Sequence, residues 1–92
     1  MTIIGSRIEI SRVGIECGLW HIQRHLIQKY GTQQAEFDME PLKWYVSTGR
    51  ASAEFLRTLF TAKPFMVARK LHQGGSYDQV LERVKKYIGW EG

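Results

Sequence analysis

Ser6-Arg-Ile-Glu-Ile-Ser-Arg-Val-Gly-Ile-Glu-Cys-Gly-Leu-Trp-His-Ile-Gln-Arg-His-Leu-Ile-Gln-Lys-Tyr-Gly31 admits two readings, and the choice between them decides the fold class. As a helix, Ser6 is its N-cap and Glu9 completes a capping box three residues on. Ile8, Ile15, Leu19, Ile22, Leu26 and Tyr30 then share one apolar stripe, and Gly31 stands where a C-terminal cap belongs. Against a helix stand the β-branched Ile8, Ile10, Val13 and Ile15, together with Gly14 and Gly18, each of which costs about 1 kcal/mol relative to Ala in a helix interior. The alternative is a strand or hairpin over residues 7–17, with a helix confined to Leu19–Tyr30, where the period is clean. The Gly14-Ile-Glu-Cys-Gly18 spacing of small residues is read as internal packing.

Downstream, Gly31 to Phe37 carries no period and reads as a connection. Asp38 then caps a short helix with Pro41 in its first turn and Gly49 past its end. Lys43-Trp-Tyr-Val-Ser-Thr48 also has the aromatic and β-branched composition of a strand. Ser52 caps a helix carrying Phe55, Leu56, Leu59 and Phe60, which Lys63-Pro64 interrupts. Pro64 opens the next helix, whose inner face is Phe65, Val67 or Ala68, and Leu71, and Gly74-Gly75 ends it. Ser76 and Gln79 form a capping-box pair ahead of the stripe Tyr77, Val80, Leu81, Val84, Tyr87 and Ile88, with Gln79, Glu82, Arg83 and Lys86 opposite. The expected fold is mostly α, one domain over residues 1–92 built of four to five short helices. The alternative is α+β, with a small antiparallel sheet from residues 7–17 and 43–48.

The 92 residues are 43% hydrophobic and 24% charged, which suits a single compact soluble domain and excludes disorder. One cysteine builds no disulfide scaffold, and no apolar run reaches the ~18 residues of a membrane span. The N-terminus lacks the order of a secretory signal, so a cytoplasmic protein without a membrane role is expected. Charge is uneven: residues 1–40 balance at −1 and residues 41–92 at +5, for a total of +4. A basic half of this kind is the electrostatic footprint of a polyanion partner or an acidic protein surface.

No motif announces catalysis. Cys17, His21 and His25 recur at four-residue spacing, a ladder that on a helix could hold Zn²⁺ with an oxygen from Glu36 or Asp38. There is no second cysteine pair and no glutamate between the histidines. The bland reading makes Cys17 a small buried hydrophobe and the histidines flanks of the stripe. No metal and no cofactor are therefore expected, with Cys17, His21 and His25 the candidates if a metal is held. Cys17 and His21 also lack an orienting group for nucleophilic catalysis. Gly74-Gly75-Ser76 has neither the lysine nor the spacing of a phosphate loop, and Glu36, Asp38 and Glu40 read as a solvated acidic stretch.

Val67-Ala-Arg-Lys-Leu-His-Gln-Gly-Gly-Ser-Tyr-Asp-Gln-Val-Leu-Glu-Arg-Val84 resembles, in residue types, the first two helices of helix-turn-helix DNA-binding domains. It departs from them where a recognition helix should follow Ile88, because only Gly89-Trp-Glu-Gly92 come after. Either the last helix itself enters a groove or the pair is a plain helical hairpin.

The expected function is non-enzymatic: a small basic protein that associates with nucleic acid or a nucleoprotein complex through its C-terminal helices. The surface expected for that contact, or for a partner, comprises Arg69, Lys70, Gln79, Arg83, Lys85, Lys86 and Trp90. The alternative is a protein–protein interaction module or inhibitor of the accessory type that phages and mobile elements encode, acting on a host complex. Trp90, just beyond Gly89, is either an exposed anchor for such a partner or folded back on the N-terminal helix.

Overall fold

The computed structural model describes residues 11–90, and these are helical throughout apart from short joints. The helices are α1 (Arg12–Tyr30), α2 (Thr32–Ser47), α3 (Ala53–Thr61), α4 (Pro64–His72) and α5 (Tyr77–Ile88). The mostly α expectation holds. Both proposed strands are overturned, since residues 12–17 lie in α1 and residues 43–47 in α2. The stripe explains the first outcome: Ile22 and Leu26 are buried, with Ile15, Leu19 and Tyr30 packed on the same core. Period outweighs the low helix propensity of single β-branched and glycine residues when a whole face is buried.

α1 begins later than Ser6. Ser11 is extended and its Oγ accepts from the Gly14 N–H at 3.1 Å, so Ser11 is the N-cap. The Ser6–Glu9 capping box, Ile8 and Ile10 lie outside the described residues.

The largest departure falls at residues 31–41. The segment read as a connection is the start of α2, so a single residue, Gly31, joins the two longest helices. Its N–H donates to the Ile27 carbonyl, closing α1, and its own carbonyl accepts from the Ala35 N–H, opening α2, both at 2.9 Å. To serve both helices the chain turns at φ 95° and ψ 161°, a conformation essentially confined to glycine. Asp38 is not a cap but an interior residue of α2, and Pro41 lies well inside the helix rather than in its first turn. Ala35, Asp38, Met39, Pro41 and Leu42 make up α2's buried face.

α1 and α2 lie side by side. α4 packs on α1, α5 packs on α4 and α2, and α3 touches α1 and α4. The core is a single cluster to which all five helices contribute, including Leu26, Met39, Phe55, Leu71 and Val84. Gly18 is a close-packing position, as its spacing suggested: a Cβ there would stand 2.6 Å from the Phe60 ring of α3. Ser52 caps α3 by accepting from the Phe55 N–H at 3.0 Å, Pro64 is the first residue of α4, and Ser76 with Gln79 forms a complete capping box on α5. Two residues assigned to inner faces lie outside the core, since Phe65 is 47% and Tyr77 40% exposed.

The one-residue joint makes a sharp prediction. Among the described residues, no atom would meet a new methyl group at Gly31, so Gly31→Ala tests the backbone alone. It should lower unfolding free energy by about 2 kcal/mol, through strain and not lost contact. Urea denaturation should show a lower midpoint with the m-value unchanged.

Candidate functional site

The seven residues expected to form one basic surface divide among several places. Arg83 is half-buried, and its Nη1 donates to the Lys70 carbonyl at 2.9 Å, tying α5 to α4. Lys70 is itself half-buried. Gln79 Oε1 accepts from the Ser76 N–H at 3.0 Å, so that group serves the cap. Lys85 Nζ sits 4.9 Å above the Tyr45 ring, at cation–π distance. Lys86 is exposed, but the shallow depression it shares with Gln79 and Arg83 also contains Asp78 and Glu82. Two cations there face two carboxylates. Trp90 packs edge-on against Phe55 of α3, with ring centroids 5.7 Å apart, and is partly buried.

Arg69 is different. It projects from α4 into a groove of about 300 Å³ between α4 and the C-terminal half of α1. α1 contributes His25, Gln28, Lys29 and Tyr30 to the groove. Phe65 and Ala68 complete the α4 side. Among the described residues, the lining therefore holds two full cations, Lys29 and Arg69, three aromatic rings and no carboxylate. Among the described residues, neither cation has an ion-pair partner. Phe65 is partly exposed and stands 6.3 Å from the His25 ring at 56°.

The groove's Tyr30 wall is held from behind by a cluster that the sequence did not suggest. Asp38 is 3% exposed, and its Oδ2 lies 2.7 Å from His72 Nδ1 on α4. Its other oxygen, Oδ1, accepts from Gln34 Nε2 at 2.9 Å. The His72 ring in turn lies flat on Tyr30, with centroids 3.5 Å apart and planes 6° apart. The chain α2 carboxylate, α4 imidazole, α1 phenol locks three helices together beside Gly31. The acidic stretch is thus not uniformly solvated: a buried carboxylate is tolerable here because both oxygens have partners. Only the long-range pairing of residues 38 and 72 reveals this, and one sequence carries no signal for it.

The metal ladder does not form a site. His25 turns toward Phe65, His21 lines a separate small cleft with Gly18 and Phe60, and Asp38 faces His72. Cys17 is exposed rather than a buried hydrophobe. Among the described residues, no group of three His, Cys, Asp or Glu side chains comes together in a way that could hold a metal ion.

A second polar-aromatic cluster joins α2 to the start of α5. The Tyr77 hydroxyl donates to Glu40 Oε1 at 3.3 Å, its ring tilts against Trp44, and Arg50 lies 4.6 Å above the Trp44 ring. Loss of hydration against the protein, followed by the Glu40 charge and hydrogen bond, holds the Tyr77 phenol above its ordinary value. It stays protonated and donating throughout the neutral range. Among the described residues, no helix is long and apolar enough to cross a membrane.

No protein-family model matches the chain, and no curated protein or solved structure is significantly similar to it.

The Asp38 cluster can be tested directly. Asp38→Ala leaves His72 and Gln34 without their buried acceptor, a loss of about 2 kcal/mol for hydrogen bonds to a charged group. Thermal unfolding followed by circular dichroism should show Tm falling by roughly 10 °C for a domain of this size.

Proposed function

We propose that this protein is a non-enzymatic nucleic-acid-binding module, acting on nucleic acid or a nucleoprotein complex through the cationic groove between α1 and α4. The observation that carries this reading is the groove's lining: Lys29 and Arg69 exposed beside Phe65 and His25, with no carboxylate among the described residues that form it. A polyanion is attracted by uncompensated positive charge, and aromatic edges beside that charge favour nucleic acid over a purely inorganic polyanion. Arg69 is retained from the basic surface expected of the C-terminal helices. Lys29 on α1 joins it, while the α5 cations are set among carboxylates or engaged within the fold. Binding of this kind carries little sequence preference, since phosphate contacts position a strand without reading it.

The test is the salt dependence of affinity for a labelled oligonucleotide, with wild-type protein and the Lys29→Ala, Arg69→Ala double variant. Removing two phosphate contacts should weaken binding at least tenfold at low salt. It should also make the slope of log K against log salt shallower by about 1.4 to 1.8. A double variant with the wild-type slope would reject the groove as the phosphate-binding surface.

A second reading rests on a different face. Val13 and Trp20 are 68% and 54% exposed. Seven residues apart, they project from α1 within about 20° of each other. An exposed tryptophan beside a valine is the kind of anchor that protein interfaces use, consistent with an interaction module or inhibitor of the phage or mobile-element type acting on a host complex. Trp20 is the exposed tryptophan for this role, since Trp90 packs against Phe55 and is partly buried. On this reading one host protein co-purifies in stoichiometric amount after nuclease treatment, and Trp20→Ala abolishes its recovery without lowering Tm. Recovery unaffected by Trp20→Ala would dismiss the face.

A further inference from the structure

The groove between α1 and α4 has a shape as well as a charge, and the shape restricts which form of nucleic acid it can take. This step rests on the nucleic-acid reading above. We infer that the groove seats an unpaired base of a single strand against Phe65, with the flanking phosphates on Lys29 and Arg69, and that duplexes are not its ligand.

The first ground is concavity. Duplex readers push a helix or ribbon outward into a groove of the nucleic acid, whereas here the positive charge lies in a recess between two helices. A base held in a duplex stack cannot enter a recess; an unstacked one can. The volume of about 300 Å³ lies at the small end of ligand-sized pockets, enough for one planar group and not for a helix.

The second ground is the aromatic lining. Phe65 leaves nearly half its surface exposed despite being one of only four phenylalanines in the chain, and it stands at the groove's edge rather than in the core. Pro64 opens α4 immediately before it, so its backbone position is fixed by a proline-initiated helix. Stacking on such a ring is tolerant of base identity, because every base offers a π face. His25 bounds the same space, and Gln28 supplies an amide that can both donate and accept at a base edge.

The third ground is preorganisation. One face of Tyr30 is covered by His72, which is held at Nδ1 by the buried Asp38. Tyr30 is therefore a positioned wall that need not be ordered when a strand arrives, and little side-chain entropy is lost on binding. Asp38 and His72 act through Tyr30 as positioning residues.

The experiment measures fluorescence anisotropy with a labelled oligothymidylate, a labelled oligouridylate and a labelled hairpin duplex, all at one salt concentration. The proteins are wild type, Phe65→Ala and Phe65→Trp. Wild-type protein should prefer either single strand to the duplex. Phe65→Ala should weaken single-strand binding roughly tenfold, with duplex binding unchanged and Phe65→Trp retaining wild-type affinity. Phe65 is outside the core, and a wild-type melting curve for each variant establishes that folding is intact. If single strand and duplex bind equally and Phe65→Ala changes neither, the base seat is overturned while nucleic-acid binding stands. If none of the three oligonucleotides binds, both readings fall together.

Discussion

The architecture depends on a backbone constraint at Gly31. Two helices of 19 and 16 residues are joined by one residue, which must end the first, start the second and leave the two in contact. Only a residue without a Cβ adopts the required φ and ψ without strain. With α1 and α2 fixed side by side, their stripes present one apolar platform, and α4 and α5 are laid across it. The capping boxes and proline starts of the shorter helices refine this arrangement without determining it.

The Gly31 end of the molecule is also where polar groups are most tightly organised. Lys29 and Tyr30 precede the joint on α1, Gln34 and Asp38 follow it on α2, and His72 reaches the same region from the end of α4. A buried carboxylate in a small domain is costly unless both oxygens are satisfied, and here the partners come from its own helix and from a distant one. The Asp38–His72 contact therefore specifies which end of α4 meets α2. The groove is built on the outer side of that same junction, so its Tyr30 wall takes its rigidity from the core.

Much of this fold can be read from residue types. Ser52, Pro64, and Ser76 with Gln79 mark helix starts by the physics of unsatisfied N–H groups, and each occupies that place. The stripe of α1 from Ile15 to Tyr30 and that of α5 from Val80 to Ile88 lie on the core, whereas Tyr77 at the start of α5 stays outside it. The errors fall where one residue has two local meanings. Asp38 is a favoured cap and Pro41 a favoured helix opener, so together they suggested a start at residue 38, although Ala35, Met39 and Leu42 already carried a helical period across it. Trp44, Tyr45 and Val46 have strand composition, yet they lie in a helix, from which the Trp44 ring meets Tyr77 and the Tyr45 ring meets Phe55 and Lys85. Of the surface proposed from charge, Arg69 alone lines the α1–α4 groove, because a count of cations does not distinguish Arg83 on a carbonyl from Arg69 in an open recess. Lys29 was hidden in the half of the chain whose charge nearly cancels.

The single-residue joint also bears on the order in which the molecule assembles. Bringing α1 against α2 closes almost no loop, so the chain entropy lost in forming that hairpin is near the minimum for any tertiary contact. Docking α4 onto α1 instead brings together segments such as Lys29 and Phe65 that are separated by the whole of α2 and α3. Local contacts form fast and distant ones wait on them. On chain entropy alone the α1–α2 pair is therefore favoured to form early, and the groove, made from α1 and the distant α4, can close only once α4 has docked.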